Sequence, residues 1–130
     1  MSEISNSNQQ VTVVMPTYNG KSRGFICKAI DSVLNQTVEI SQLIIIDDGS
    51  QDGTADFLRE RYSEAEIYTK INGGPSSARN YSFQYIKSPF VCFLDDDDEW
   101  LPSKTADQLK YFEDNKETDL LMSGMTYINK

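Results

Sequence analysis

The chain has 130 residues, a formal net charge of −8 and no histidine, so it is long enough to form one domain, or part of one, with a real core. The negative charge argues against nucleic acid or an anionic membrane as a partner, because each would require a basic face on the protein. The lack of histidine excludes Ser-His-Asp and Cys-His catalytic groups and histidine metal sites, so any chemistry must depend on carboxylates.

The N-terminal residues, the hydropathy pattern and the two cysteines indicate where the protein resides. Residues 1–10 are polar and lack a basic or apolar segment, which predicts a flexible tail and no signal peptide. No apolar run approaches the roughly 18 residues that span a bilayer. Cys27 falls in a helical pattern and Cys92 in a strand pattern, without CxxC spacing, which favours two reduced core residues over a disulfide. We expect a cytoplasmic protein, or one peripheral to the inner face of the membrane in its full-length form.

Short apolar runs alternate with segments of helical periodicity along the chain. Residues 11–15 and 42–46 are predicted buried strands. Between them, one face of a helix is formed by Phe25, Ala29, Ile30, Val33 and Leu34. In the loop at 47–54, Asp52 is the predicted N-cap of a helix at 54–62. The later elements are a weaker strand at 66–69, a break at 72–75, a helix at 76–87, a strand at 90–94, a helix opened by Pro102 and reaching about Phe112, and a final strand at 119–124.

This order of elements predicts an α/β fold with a three-layer, doubly wound, mostly parallel sheet. The right-handed crossover rule gives the strand order 3-2-1-4. Polar stretches at 16–19, 47–50 and 95–98 each begin where an apolar strand stops. Because ligands bind at the carboxyl edge of such a sheet, the three stretches should converge on one crevice.

Four adjacent carboxylates, Asp95 to Asp98, follow the fourth strand. Like charges this close repel, so such a cluster is solvated, faces cationic groups or binds a metal. An EF-hand loop is excluded because Trp100 and Ala106 stand where it needs Gly and Glu, and a DxDx[TV] phosphatase motif fails at Glu99. Receiver domains and glycine-rich nucleotide loops also require residues that this chain lacks.

Five stretches occur in one order between Val11 and about Phe112. They are VVMPTYNG, AIDSVLNQT, LIIIDDGSQDGT, NGGPSSARN and FLDDDDEWLP. In this order and spacing they resemble the family 2 inverting glycosyltransferases, whose nucleotide-diphospho-sugar transferase domain is called the GT-A fold. The resemblance implies a GT-A domain that transfers a sugar from a nucleotide-diphospho-sugar, with a UDP-sugar as the expected donor, to an acceptor hydroxyl with inversion.

The resemblance also implies how the nucleotide is held. Pro16, Thr17 and Tyr18 would form the first wall of the nucleotide pocket, with the Tyr18 ring available for a base to stack on. The alternative is that Tyr18 is an ordinary loop aromatic. Asp48 would accept the N3–H of the base, a contact suited to uracil or thymine.

A glycine pair and an arginine would complete the nucleotide pocket. Gly73 and Gly74 would give the backbone conformational freedom beside the ligand. Arg79 would lie near the nucleotide and oppose the acidic residues of the pocket. A solvated Arg79 on the polar face of a helix is the open alternative.

The acidic run matches the family's D-x-D signature as Asp95-Asp96-Asp97, followed by Asp98. The resemblance implies that Asp97 is the principal ligand of a divalent metal, with Asp95 or Asp96 as its partner near the ribose or the metal. Carboxylate oxygens suit Mg²⁺ or Mn²⁺, which keep open positions for phosphate oxygens. A bound metal would also neutralise the cluster.

Residues 11–130 are expected to be the nucleotide-sugar-binding portion of a longer domain. In the family the acceptor site and the catalytic base lie in a later segment, so we expect both beyond Lys130 and little or no activity from the isolated chain. The expected acceptor is a sugar or a lipid-linked glycan in surface polysaccharide assembly. Two other classes stay open: a metal-dependent nucleotide-binding module without catalysis, and a domain whose acidic loop is merely solvated.

Overall fold

The computed structural model describes residues 10–127. Its strands are β1 (Val11–Thr17), β2 (Gln42–Asp47), β3 (Ala65–Thr69) and β4 (Phe90–Phe93). Its helices are α1 (Gly20–Arg23), α2 (Ile26–Leu34), α3 (Thr54–Arg61), α4 (Pro75–Ser82), which continues as a 3₁₀ turn at Phe83–Tyr85, and α5 (Lys104–Asp114). Strands and helices therefore alternate along most of the described chain, as the sequence predicts.

The four strands of the described region form one parallel sheet in the order β3-β2-β1-β4. Within β1, Val14 lies opposite Ile44 of β2 on one side and Phe93 of β4 on the other. Every residue of β1 and β2 is buried, because continuous runs rich in β-branched side chains fill both faces of a covered sheet. The predicted fold class and strand order are confirmed.

Apolar side chains pack against both faces of the sheet. Side chains alternate along a strand, so neighbouring residues of β1 join different clusters. Val13 packs in the cluster that contains Ile30 of α2 and Leu58 of α3, and Val14 packs in the cluster that contains Ala78 of α4. The sheet thus lies between two helical layers, with its polar loops left free at the carboxyl edge.

α3 begins at Thr54, as predicted, but its N-cap differs from the predicted one by one residue. Gly53, rather than Asp52, is the N-cap, and it adopts the left-handed conformation (φ 80°) that glycine allows. The Asp52 carboxylate still accepts the backbone N–H of Thr54 at 3.1 Å. Asp52 therefore satisfies an N-terminal donor of the helix from one position earlier.

Two later helices end or begin away from their predicted bounds. The helix predicted at 76–87 ends at Ser82 and tightens into the 3₁₀ turn. The helix predicted from Pro102 begins at Lys104. The Lys104 N–H donates to the Leu101 carbonyl at 3.1 Å, which makes a turn before the helix.

The strand predicted at 119–124 is wrong. Residues 115–127, the last part that the structure describes, contain no strand. An extended segment is stable as a strand only when it pairs with a neighbour and buries one face. Here the apolar side chains are exposed, Leu120 by 79% and Met122 by 83%.

Cys27 and Cys92 are free thiols that pack, half-buried, against the cluster on the α2 side, which confirms the reduced interpretation. Burial raises the pKa of the Cys92 thiol. Among residues 10–127, no helix is long and apolar enough to cross a bilayer. The predicted tail, apart from residue 10, lies outside the described residues.

Candidate functional site

A cleft lies at the carboxyl edge of the sheet, beside the ends of β1, β2 and β4. Its volume is about 320 Å³. It is lined by Pro16, Thr17, Tyr18, Arg23, Asp48, Pro75, Arg79, Asp95, Asp96 and Asp97. The three polar stretches therefore converge as predicted, and Arg23 and Pro75 are lining residues that the sequence analysis did not single out.

The loop after β1 supplies an aromatic residue to the cleft and is fastened to its neighbours. Tyr18 is 43% exposed, and the preceding Thr17 hydroxyl donates to Asp96 Oδ2 at 2.7 Å. Asn19 adopts a left-handed conformation (φ 53°) and donates its backbone N–H to Ser50 Oγ at 2.7 Å. These contacts on both sides of Tyr18 fix the backbone that carries its ring.

Asp48, directly after β2, is buried and its carboxylate accepts four hydrogen bonds. The donors are Lys70 Nζ (3.0 Å), Asn72 Nδ2 (3.2 Å) and the backbone N–H groups of Gly73 (2.9 Å) and Gly74 (2.7 Å). Burial alone would raise the pKa of Asp48, but the hydrogen bonds from Lys70 and from the two glycines outweigh it and lower the pKa. The ionised carboxylate thus fixes the glycine loop beside the cleft.

Gly73 and Gly74 do not line the cleft but shape the loop that reaches it. Gly74 adopts φ 97°, a conformation that favours glycine. A Cβ on Gly73 would lie 2.7 Å from Ser77 Oγ. Pro75 follows in the first turn of α4 and does line the cleft. The predicted backbone role of the glycines has a geometric basis, and their contact with a nucleotide stays a prediction.

The acidic run divides into two groups by orientation. Carboxylate oxygens of Asp95, Asp97 and Asp98 lie within 4.8 Å of one another, and all three residues are exposed. Asp96 is 6% exposed and accepts the Thr17 hydroxyl instead. Clustered carboxylates that remain open to water and phosphate fit the preferences of Mg²⁺ or Mn²⁺. The geometry favours Asp95 over Asp96 as the partner of Asp97 toward a metal.

Three carboxylates of the cleft are each paired with a cation. The pairs are Asp48 with Lys70 (3.0 Å), Asp95 with Arg79 (2.8 Å) and Asp96 with Arg23. The hydrogen bond to Asp96 raises the pKa of the Arg23 guanidinium. Asp97 has no hydrogen bond or ion pair within residues 10–127. Arg79 therefore opposes an acidic residue of the cleft, as predicted. Asp97 is the cleft carboxylate whose oxygens are not used by a cation or a hydrogen-bond donor of the described residues.

Polar side chains of α2 and its end anchor the segment after the acidic run, a role that the sequence analysis missed. Ser32 Oγ accepts the Trp100 N–H at 3.1 Å. The buried Gln36 side chain donates to the Leu101 carbonyl at 2.8 Å and accepts the Thr105 N–H at 2.9 Å. The available signal was that Ser32 and Gln36 stand four residues apart, which places both on one side of a helix.

Comparison with known proteins identifies the family. Residues 12–130 match the sequence profile of Glycosyl transferase family 2. The chain is 35% identical over 112 residues to the Bacillus subtilis putative teichuronic acid biosynthesis glycosyltransferase TuaG, covering 83% of this chain and 44% of TuaG. It is 32% identical over 108 residues to Escherichia coli WfaP, a UDP-Glc:alpha-D-GlcNAc-diphosphoundecaprenol beta-1,3-glucosyltransferase, covering 82% of this chain and 42% of WfaP. A Rickettsia bellii uncharacterized glycosyltransferase is 34% identical over 108 residues, which cover 15% of its length. The chain thus spans less than half the length of each of these relatives.

Solved structures share the fold. Staphylococcus aureus TarS 1-349 in complex with UDP-GlcNAc superposes with a TM-score of 0.73 at 24% identity, covering 82% of this chain and 32% of TarS 1-349. The mannosyltransferase PcManGT from Pyrobaculum calidifontis, in complex with GDP-Man and Mn²⁺, gives a TM-score of 0.68 at 23% identity, covering 82% and 33%. These likenesses confirm the predicted GT-A fold. Together with the profile match, they confirm the resemblance seen in the motifs: the chain belongs to glycosyl transferase family 2.

Proposed function

We propose that this chain is the donor-binding part of a glycosyltransferase that moves a sugar from a UDP-sugar to an acceptor hydroxyl with inversion. The cleft carries the proposal, because it combines the exposed Tyr18 with the exposed carboxylates of Asp95 and Asp97. An aromatic ring suits a flat base, and clustered carboxylates suit the divalent ion that accompanies a diphosphate. The activities for which TuaG and WfaP are named, and the TarS complex with UDP-GlcNAc, support it.

The nucleotide base would lie between the wall at Pro16 to Tyr18 and Asp48. Asp48 is proposed to accept the N3–H of uracil. A carboxylate offers about four lone-pair sites, and four donors already use those of Asp48. The base must therefore displace one donor. We expect it to displace the Asn72 amide, whose contact of 3.2 Å is the longest of the four.

The diphosphate would lie beside the acidic loop. Asp97 and Asp95, with Asp98 beside them, would hold Mn²⁺ or Mg²⁺, whose positive charge stabilises the departing nucleoside diphosphate when the ion is bound. Arg79 orients Asp95 through its contact at 2.8 Å. The further nucleotide contacts that we propose are Arg79, Asp96 and the backbone of Gly73 and Gly74.

Transfer with inversion also needs a general base, here expected to be a carboxylate. This base takes the proton of the acceptor hydroxyl while that hydroxyl attacks the sugar from the face opposite the leaving diphosphate. We propose that this base and the acceptor site belong to a later segment of a longer protein. The acceptor would be a sugar or a lipid-linked glycan, a class that the name of WfaP specifies for that relative. The full-length protein would then work in the cytoplasm or at the inner face of the membrane.

A second candidate function is metal-dependent nucleotide binding without catalysis. It is favoured by the cleft itself, because all of its lining residues except Arg23 and Pro75 are those proposed for the donor side. The test is to incubate the chain with Mn²⁺, a panel of UDP- and GDP-sugars and mixed acceptors, and to measure nucleotide-sugar binding, nucleotide release and glycoside formation.

We expect slow, metal-dependent nucleotide release and little glycoside from this experiment, since a positioned general base contributes about 10²–10⁴-fold in rate. Binding without any release would favour the second candidate. Efficient glycoside formation would mean that a base lies within residues 1–130. No binding of any nucleotide-sugar would contradict both candidates.

A further inference from the structure

Arg23 is a cation of the cleft that no sequence motif indicated. It is the last residue of α1, and its side chain is 43% exposed. Its Nη2 forms an ion pair with Asp96, and its Nε donates to the Tyr18 carbonyl at 3.1 Å. Within residues 10–127, Nη1 has no hydrogen-bond acceptor. The guanidinium is therefore held at two points and keeps donors for a ligand in the cleft.

The contacts that hold Arg23 are themselves tightly packed. Asp96 is buried and also accepts the Thr17 hydroxyl at 2.7 Å. A Cβ on Gly20 would lie 2.3 Å from Thr17 Oγ1 and 3.3 Å from Asp96 Oδ2. Glycine at this position therefore lets the start of α1 lie close to both Thr17 and Asp96. Arginine loses much rotamer freedom when it binds a ligand. Here the guanidinium is ordered beforehand, and a preorganised donor binds with less entropic cost.

The charge of the cleft indicates which ligand this guanidinium suits. The acidic lining residues are Asp48, Asp95, Asp96 and Asp97, and the cationic lining residues are Arg23 and Arg79. A diphosphate entering among these carboxylates needs positive partners. The planar guanidinium presents paired N–H donors whose geometry matches phosphate oxygens. Its exposed edge makes Arg23 available without loss of its contact to Asp96.

We propose that Arg23 is a diphosphate-binding residue of the donor site, which donates from Nη1 to a phosphate oxygen while Nη2 stays on Asp96. The proposal rests on the proposed function, because it requires a nucleoside diphosphate in this cleft. It predicts that Arg23 contributes to binding of the phosphates and not to binding of the nucleoside.

The test is an NMR titration of the full chain with uridine, UMP and UDP at a fixed excess of Mg²⁺. Arg23→Ala should weaken UDP binding by about tenfold, because charge-assisted hydrogen bonds are the strong ones, and should leave uridine binding within about twofold. Arg23→Lys keeps the charge but loses the planar fork, so its UDP affinity should be intermediate. The control is Arg59→Ala, which removes the same charge from α3, where Arg59 pairs with Asp56; it should change neither affinity.

The outcomes separate a phosphate contact from a structural role. A loss for UDP with uridine binding retained supports the proposal. Equal losses for uridine and UDP would overturn it, since Arg23 would then only shape the pocket. Unchanged UDP affinity in Arg23→Ala would overturn it as well. Failure of the wild-type chain to bind UDP would overturn the proposed function and this inference together, whereas the other outcomes leave the proposed function standing.

Discussion

The loop after β2 and the loop after β4 both place carboxylates at the carboxyl edge of the sheet, yet their environments differ. Asp48, in the first loop, is buried and accepts four hydrogen bonds. Asp97, in the second, is exposed and has none within residues 10–127. A carboxylate surrounded by donors holds the backbone in place, whereas one left to water keeps its oxygens for a ligand. Asp96, although part of the acidic run, belongs with Asp48 in this respect.

Removing the two carboxylates should have very different effects on stability. Asp48→Ala leaves the Lys70 ammonium and the N–H groups of Gly73 and Gly74 without their acceptor, so it should lower the free energy of unfolding by about 3 kcal/mol. Asp97→Ala, the matched control, should change it by less than about 0.5 kcal/mol. Urea unfolding followed by circular dichroism measures both. Equal losses in the two variants would show that the two loops do not differ as described.

The buried position of Asp96 can be tested at Gly20, where an added Cβ would lie 3.3 Å from Asp96 Oδ2. A Cβ at Gly20 would lie 2.3 Å from Thr17 Oγ1, so Gly20→Ala should separate Thr17 from Asp96 and cost about 2 kcal/mol of stability, as overpacking does. Gly124→Ala is the control, because nothing lies within 4 Å of its added Cβ, and it should be nearly neutral. Thermal unfolding measures the stability of both variants. A neutral Gly20→Ala would contradict the close packing of Gly20 against Thr17 and Asp96.

The loop after β2 should also make the folded state sensitive to acid. The pKa of Asp48 is lowered on folding, whereas that of an unfolded Asp is about 3.9. The stabilisation is therefore fully present above the unfolded pKa and is lost as the pH falls through the lowered folded value. We expect the free energy of unfolding to fall as the pH is lowered below about 5, and less steeply in Asp48→Asn. Urea unfolding at several pH values measures the slopes, and the same slope in both proteins would argue against an ionised Asp48 as an anchor.

The sheet and its polar edge could be predicted from sequence because the signals are local. The runs at 11–15 and 42–46 are continuously apolar, which is typical of strands covered on both faces. Parallel topology then brings their following loops together. The strand predicted at 119–124 fails because a strand depends on a partner, and sequence pattern alone does not supply one.

The orientation of individual site residues could not be predicted in the same way. Four adjacent Asp residues look alike in sequence, and Asp96 differs from its neighbours because of contacts with Thr17 and Arg23, which are 79 and 73 positions away. Arg23 itself lies in a short charged segment, a pattern that predicts a solvated surface. The four donors on Asp48 likewise come from residues 22 or more positions later. Such contacts arise from the fold and not from a local pattern.

The most direct test of Asp97 as the proposed metal ligand is calorimetric titration of UDP into the chain with Mn²⁺ and, separately, with EDTA. UDP should bind about tenfold or more tightly with Mn²⁺, because the acidic loop repels a bare diphosphate and charge-assisted contacts are strong. Asp97→Asn should abolish this difference, whereas Asp48→Ala should weaken binding under both conditions. The same UDP affinity with Mn²⁺ and with EDTA in the wild-type chain, or an unchanged metal dependence in Asp97→Asn, would contradict the assignment of Asp97 as the metal ligand of the donor site.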